Sequence, residues 1–220
     1  MKHLKIKIMS IALLAAATSS MAQSLDKMNW LNEPQQWEIK EGKALVMDVP
    51  AKTDFWRISH YGFTVDDGPF YYATYGGEFV KVKITGNYVT TFDQMGLMLR
   101  IDHENWIKAG VEYVDGKQNV SAVVTHRTSD WSVVQLPDAP RSLWIKAVRR
   151  LDAVEIFFSR DDKEYTMIRT CWLQDNCPVM VGLMGACPDG KGFTATFEEF
   201  KVTSLADQRR LEWAKKQAGK

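Results

Sequence analysis

The stretch that decides the fold is WIKAGVEYVDGKQNVSAVVT, residues 106–125. At its centre, Asp115-Gly116 predicts a two-residue hairpin, because a type I′ turn needs positive φ at both central residues and Asp-Gly tolerates it. The turn sets the register of the two flanking strands and places Trp106 opposite Thr125. We therefore predict an antiparallel strand pair whose alignment follows from this turn alone.

This register divides the hairpin into two chemically different faces, since side chains alternate along a strand. The apolar face pairs Val111 with Val120, Ala109 with Ala122, and Ile107 with Val124. The other face carries Trp106, Lys108, Glu112, Asn119, Ser121 and Thr125. A slip of one residue would mix the two sets, so the pattern supports the register. We expect the apolar face to lie in the core and the polar face to lie outside it.

The preceding segment GLMLRIDHENW, residues 96–106, predicts a second hairpin in the same sheet. A three-residue loop, with Asn105 in the left-handed conformation, keeps the leucines of this segment on the apolar side. Arg100 then faces Lys108. Like charges directly opposite each other destabilise a sheet, so this pair is expected to have a carboxylate nearby.

The rest of the chain has the same character. SLWIKAVR, residues 142–149, repeats the WIKA motif, with Trp144 and Lys146 expected outside and Ile145 inside. Many short alternating runs separated by turn residues predict an all-β fold, a two-sheet antiparallel β-sandwich. We expect one domain over residues 23–203 and a short C-terminal helix over residues 204–220, with Ser204 as its N-cap.

The N-terminus has the pattern of a secretory signal peptide. Three lysines precede a short apolar run, and Ser20-Met21-Ala22 forms a small-x-small cleavage site. We expect cleavage after Ala22, a mature chain that begins at Gln23, and a periplasmic or secreted protein. The apolar run is too short for a membrane span, which needs ~20 residues.

Charge and cysteine content limit the function classes. Without residues 1–22 the chain has 25 basic and 27 acidic residues, and a near-neutral chain is not an electrostatic binder of nucleic acid. The three cysteines, Cys171, Cys177 and Cys187, match no zinc-binding spacing. If a disulfide forms, Cys177 is the candidate shared by both possible pairs. No metal and no cofactor is expected.

The polar face of the sheet is the candidate binding surface. Trp106 offers a flat apolar ring, Gly110 leaves room for close approach to the backbone, and the two cations suit an acidic sugar. The predicted ligand-binding residues are Arg100, Trp106, Lys108, Glu112, Ser121, Thr125, His60, Trp144 and Lys146. The same residues also fit an ordinary solvated surface with internal ion pairs, and His60 fits a structural histidine.

A second aromatic cluster lies in TDFWRISHYGFTVDDGPFYYATYGGEF, residues 53–79. Most of its aromatic residues are expected to serve packing, because aromatic side chains bury a large area. Its polar members Asp54, Arg57 and His60 could reach a site. Known catalytic motifs, including the E-x-D-x-x-E strand of jelly-roll glycosidases, are absent from the sequence, so catalytic residues are not assigned.

TDFWRISHYGF and DQMGLMLRIDHENWIKAGVEYVDGKQNVSAVVTHRTSDWS together resemble the domain-of-unknown-function family numbered 1349. The resemblance covers roughly residues 29–203. It implies a concanavalin A-like lectin/glucanase jelly roll and a loose link to carbohydrate metabolism. Because that superfamily includes both lectins and glycosidases, the fold does not settle the function.

Three functions remain open at this point. The first is carbohydrate binding without cleavage. The second is a carbohydrate-active enzyme of the glycoside hydrolase type, with carboxylates supplied by separate strands. The third is a structural or protein-interaction module whose polar face meets another chain.

Overall fold

The Asp115-Gly116 turn forms as predicted and joins strands β9 (Asn105–Val114) and β10 (Lys117–His126). The φ angles are 49° at Asp115 and 80° at Gly116, the positive values that a type I′ turn needs. Every residue pair of the predicted register is observed in this hairpin.

The computed structural model describes residues 25–76 and 78–204. The expected signal peptide and residues 205–220 of the expected C-terminal helix lie outside these ranges, and Ser204 is the last residue of a strand. The elements of the described chain are a 3-10 helix (Leu25–Lys27), β1 (Asn29–Leu31), β2 (Trp37–Lys40), β3 (Ala44–Val49), β4 (Phe55–Arg57), β5 (Thr64–Asp66), β6 (Phe70–Tyr75), β7 (Glu78–Gly86), β8 (Gln94–Arg100), β9, β10, β11 (Thr128–Gln135), β12 (Leu143–Arg150), β13 (Ala153–Ser159), β14 (Thr166–Trp172), β15 (Val179–Ala186) and β16 (Phe193–Ser204).

Two seven-stranded antiparallel sheets form a β-sandwich, which confirms the predicted fold class. The front sheet has the order β1-β6-β15-β8-β9-β10-β11, and the back sheet has the order β14-β13-β12-β7-β16-β3-β2. Strands β4 and β5 form a separate two-stranded ribbon. Strands distant in sequence are neighbours in both sheets, so the sandwich is assembled from long-range pairings.

The core lies between the sheets and contains the apolar faces predicted from the sequence. Ile107, Ala109 and Val111 of β9 are buried there, as are Ile145 and Ala147 of β12. Burial of the valine and isoleucine side chains stabilises the fold by roughly 1.5–3 kcal/mol each, and the alanine methyl groups contribute less. The WIKA motif therefore places Ile and Ala inward in both sheets.

The hairpin from β8 to β9 differs from its predicted register by two residues. Arg100 lies opposite Trp106, and Met98 lies opposite Lys108. The connection is longer than predicted, because the Asp102 carboxylate accepts hydrogen bonds from the backbone N–H groups of residues 104 and 105. A shift of two residues leaves each side chain on its predicted face, but the expected pairing of Arg100 with Lys108 is wrong.

A long connection covers the outer face of the front sheet. We call residues 51–68, which include β4 and β5, the strap. At one end the Lys52 N–H donates to the Cys187 carbonyl at 2.8 Å. Further along, the Arg57 N–H donates to Ser129 Oγ at 2.9 Å. The centre of the front sheet is therefore buried on both faces, and the expectation of an open outer face is wrong.

Gly110 lies on the strap side of β9, but a neighbouring strand uses the space that its missing side chain leaves. A Cβ atom at this position would lie 1.9 Å from the Met95 carbonyl oxygen and 2.7 Å from Gly96 Cα. Gly96 is the residue directly opposite. The glycine pair thus permits close approach of β8 and β9 rather than of a ligand.

Gly110→Ala is expected to destabilise the protein by about 2 kcal/mol, because overpacking of this kind forces a backbone shift. Chemical denaturation of the two proteins measures the difference. Gly76→Ala is the matched control, since an added Cβ there meets nothing within 4 Å and should change stability by less than about 0.5 kcal/mol. Equal stability of the two variants would contradict the close-approach interpretation.

Candidate functional site

Six of the nine predicted ligand-binding residues lie together on the strap side of the front sheet. These are Arg100, Trp106, Lys108, Glu112, Ser121 and Thr125, and all six are buried. His60 lies exposed in the strap, at a φ of 64°. Trp144 and Lys146 lie on the outer face of the back sheet, away from the others, because the neighbouring Ile145 points into the core.

Trp106 does not offer the accessible ring that the sequence suggested. Its side chain is 1% exposed and belongs to an apolar cluster under the strap that also contains Phe55 and Met98. The Phe55 and Trp106 rings meet edge to face, with 6.3 Å between their centroids. In the described structure this indole anchors the strap to the sheet.

Arg100 is joined to the strap by a bidentate ion pair. Its two terminal nitrogens each donate to an Asp66 carboxylate oxygen at 2.6 Å. The Arg100 side chain is only 6% exposed, and bidentate charge-assisted bonds of this kind are among the stronger protein hydrogen bonds. The carboxylate that the sequence required near Arg100 is therefore Asp66.

Lys108 is also engaged by the strap. Its ammonium group donates to the Phe55 carbonyl oxygen at 2.7 Å and lies 3.4 Å from Asp54 Oδ1. Gln94, from β8, donates its amide to the same Asp54 oxygen at 3.3 Å. Asp54 thus lies between two donors from the front sheet.

Glu112 is a buried carboxyl group with two hydrogen-bond donors. Ser121 Oγ donates to its Oε2 at 2.6 Å, and the Trp131 indole N–H donates to the same oxygen at 2.8 Å. Burial raises the pKa of Glu112 above the ordinary value, and this effect exceeds the opposing influences of Lys108 and of the two donors. Glu112 is therefore easier to protonate than an exposed glutamate.

The strap does not cover the whole face of the front sheet. A pocket of about 250 Å³ remains beside residues 58–63, which we call the strap tip. Aromatic rings form its walls, while Asp54, Gln94, Lys108 and Glu112 supply polar groups. The lining residues are Asp54, Trp56, Tyr61, Phe63, Phe92, Gln94, Lys108, Glu112, Val123, Trp131, Pro188 and Asp189. Apolar walls with a few convergent polar groups are typical of small-molecule sites.

Sequence reasoning missed most of this lining. Tyr61 and Phe63 belong to the aromatic cluster in which most residues are expected to serve packing, but they are 46% and 44% exposed. In the sequence, Trp131 contributes only to the segment that resembles the family, and no binding role is predicted for it. The available signal was the density of aromatic residues in the segment 53–79 and the presence of Asp54 among them.

A larger hollow of about 840 Å³ lies elsewhere, where residues 32–36 approach residues 48–53 and 191–194. Its charged side chains, Glu33, Asp48, Lys52, Asp67 and Lys191, are all exposed. Exposed charges in an open hollow interact weakly with a ligand because water screens them. The smaller strap pocket, which has buried charges and aromatic walls, is the better candidate site.

The three cysteines are free thiols in the described chain. Burial raises the pKa of the Cys171 and Cys187 thiols to about 11 each, which keeps both protonated and poorly nucleophilic near neutral pH.

Within residues 25–76 and 78–204, no three His, Cys, Asp or Glu side chains are grouped to hold a metal ion. The same residues contain no helix long and apolar enough to cross a membrane.

Asp66→Ala is expected to lower the free energy of unfolding by about 2–4 kcal/mol, because it leaves the buried Arg100 guanidinium without its partner. Thermal or chemical denaturation measures the loss. Asp138→Ala is the matched control, since Asp138 forms a similar bidentate pair with Arg160 on the surface and exposed pairs contribute about 0–1 kcal/mol. A loss no larger than that of the control would show that Arg100 does not hold the strap.

Comparison with known proteins supports the described fold. The chain is 34% identical over 181 residues to "Regulation of enolase protein 1" of Saccharomyces cerevisiae, and the match covers 82% of this chain and 91% of that protein. A crystal structure of a functionally unknown Saccharomyces cerevisiae protein superposes with a TM-score of 0.79 at 33% identity, covering 84% of this chain and 100% of that chain.

More distant structures share the sandwich alone. The GH43 protein BlXynB of Bacillus licheniformis, in a mutant form, has a TM-score of 0.65 at 14% identity, over 83% of this chain and 39% of that chain. The carbohydrate-binding module CBM66 of Bacillus subtilis has a TM-score of 0.52 at 14% identity, over 81% of this chain and 98% of that module. A model of the proteins of unknown function termed DUF1349 matches residues 30–205. Because this model matches most of the chain and the yeast relative is 34% identical to it, the chain belongs to the DUF1349 family.

Proposed function

We propose that the protein binds a carbohydrate without cleaving it and that the ligand lies in the strap pocket. The observation that carries this proposal is the combination of exposed aromatic rings with buried hydrogen-bonding groups in one concave site. A sugar ring has apolar C–H faces that pack on aromatic rings and hydroxyl groups that need polar partners. The strap pocket provides both kinds of contact.

The dimensions of the pocket favour a small ligand. Its volume of about 250 Å³ lies below the ~300–1,000 Å³ of sites for drug-sized molecules. Tyr61 and Phe63 stack on each other with 5.5 Å between ring centroids and line the pocket from the strap. The pocket therefore suits about one sugar unit better than a long segment of a polysaccharide.

The charges of the pocket argue against the acidic glycan suggested by the sequence. Arg100 is occupied by Asp66 and does not line the pocket. Lys108 lines the pocket but already contacts Phe55 and Asp54. An incoming carboxylate would meet Asp54 and Glu112 as well as Lys108, so a neutral or basic sugar is favoured.

The distant structural neighbours give the proposal limited support. One of them is described as a carbohydrate-binding module, and several others are described as GH43 proteins or xylosidases. Their identity to this chain is low, so they show a common sandwich and no common site. The contacts in the strap pocket carry the proposal.

One observation favours a second function, hydrolysis of a glycosidic bond. Asp54 of the strap and Glu112 of β9 line the same pocket, although they are distant in sequence. The pKa of Glu112 is raised by burial, as a general acid requires, and Asp54 lies beside the Lys108 ammonium. Two carboxyl groups in different environments are the arrangement that glycosidases use.

A glycan array followed by an assay for new reducing ends distinguishes the two functions. Binding without product supports carbohydrate binding alone. Product that disappears in Glu112→Gln supports hydrolysis. If the protein shows no binding and forms no product, both functions are overturned. That result favours the remaining hypothesis, a module that interacts with another protein.

Tyr61→Ala is expected to weaken binding of a sugar found on the array by fivefold or more, because truncation of an aromatic contact residue commonly costs over about 1 kcal/mol. Isothermal titration calorimetry measures the change. Trp172→Ala is the control: Trp172 is 53% exposed and lies outside the pocket lining. Thermal unfolding checks that both variants fold, and equal affinities of all three proteins would contradict the location of the site.

We also propose export to the periplasm or the medium, on the basis of the N-terminal sequence. Residues 1–22 have the basic start, apolar run and small-residue cleavage site of a signal peptide. Expression of the full chain in a bacterial host should yield protein that begins at Gln23, as read by N-terminal sequencing of the exported fraction. Protein retained in the cytoplasm with an intact N-terminus would contradict export.

A further inference from the structure

We propose that the strap pocket prefers a sugar that carries a protonated amine, an amino sugar, over the same sugar with a neutral substituent. This inference rests on the proposed function and names its ligand class. It follows from the charges and the aromatic rings that line the pocket.

The charged side chains of the lining are mainly acidic. Asp54, Glu112 and Asp189 carry carboxyl groups, and Lys108 carries the single ammonium group among the lining residues. Two of the four are strongly buried, since Glu112 is 6% exposed and Lys108 is 5% exposed. These two charges are opposite in sign, so the excess of negative charge comes from the half-buried Asp54 and the exposed Asp189. With three carboxylates against one ammonium group, the ionised pocket attracts a cation and repels an anion.

Lys108 offsets only part of this excess, because its ion pair with Asp54 compensates one of the three carboxylates. Its ammonium group makes its shortest contact with the Phe55 carbonyl oxygen, at 2.7 Å, and lies 3.4 Å from Asp54. The partners of Glu112, by contrast, are the neutral donors Ser121 and Trp131, at 2.6 and 2.8 Å. A ligand ammonium group near Glu112 would add a second positive charge to that of Lys108, which acts on Glu112 through space, and could bond to the carboxylate directly.

The walls of the pocket also favour a cation. Trp56 and Tyr61 meet edge to face, and Tyr61 stacks with Phe63 on the strap side. Phe92 and Trp131, which also line the pocket, meet edge to face with 6.4 Å between centroids. The face of an aromatic ring attracts an ammonium group by about 0.5–2 kcal/mol. A ring face turned toward the ligand would add this attraction to that of the carboxylates.

The pH dependence of binding provides a second, independent test of the preference for the amine, because Glu112 gains or loses a proton as pH changes. The charged groups that face it are Lys108 on its own strand and Asp54 on the strap, while Gln94, Ser121 and Trp131 supply neutral groups from β8, β10 and β11. Burial raises the Glu112 pKa, so its carboxylate forms only above the ordinary range for glutamate. The preference for the amine should therefore grow as pH rises through the raised Glu112 pKa and decline once the ligand amine loses its proton.

Calorimetric titration of the purified full chain with glucosamine, glucose, N-acetylglucosamine and glucuronate tests the inference. The four probes share one sugar ring: glucosamine is cationic when protonated, glucose and N-acetylglucosamine are neutral, and glucuronate is anionic. We expect glucosamine to bind about tenfold more tightly than glucose, N-acetylglucosamine to show no such gain, and glucuronate to bind most weakly. Glu112→Gln should bring the ratio of glucosamine to glucose affinity close to one. Asp138→Asn, a surface change outside the pocket, should preserve the ratio.

The binding results test the charge preference and carbohydrate binding separately. Equal affinities for glucose and glucosamine, or tighter binding of glucuronate, would overturn the charge preference and leave carbohydrate binding intact. No binding of any of the four sugars to the folded protein would overturn both the charge preference and carbohydrate binding in this pocket. An unchanged affinity ratio in a folded Glu112→Gln protein would remove Glu112 as the basis of the preference.

Discussion

The docking of the strap onto the front sheet is the interaction on which the site depends. Two cations of the sheet, Arg100 and Lys108, each bind an oxygen acceptor of the strap, Asp66 and the Phe55 carbonyl. Between them, Trp106 packs against Phe55. A long connection with little regular structure has a large conformational entropy to lose, and these contacts offset that loss at three points.

The same docking explains why polar residues are buried on the outer face of a sheet. A buried charge is tolerated when it is paired and hydrogen-bonded, and the strap supplies the partners for Arg100 and Lys108. Glu112 accepts hydrogen bonds only from neutral donors, Ser121 and Trp131, and the Lys108 ammonium acts on it only through space. Its environment is therefore the least compensated of the three, which is why the proposed recognition of a ligand centres on it.

The strap tip combines exposure with unusual backbone geometry. Ile58 and His60 have φ angles of 65° and 64°, and a β-branched residue such as Ile rarely adopts such values. Ile58, Tyr61 and Phe63 are also among the exposed large apolar side chains of the described chain. Strained conformations tend to occur at functional sites, and this tip forms one wall of the candidate pocket.

The sequence by itself determined the local architecture. The Asp115-Gly116 turn and the alternation around it predicted the β9–β10 register, the inward face of Ile107 and Ala109, and the all-β sandwich, because turn geometry and side-chain period are local properties. Only the tertiary structure decided what covers the polar face. The contacts of the strap with Arg100, Lys108 and Ser129 span 34, 53 and 72 residues of sequence, and no periodic pattern records such contacts. For that reason the sequence predicts an accessible ring at Trp106, and the pocket lined by Tyr61, Phe92, Glu112 and Trp131 is recognised only in the tertiary structure.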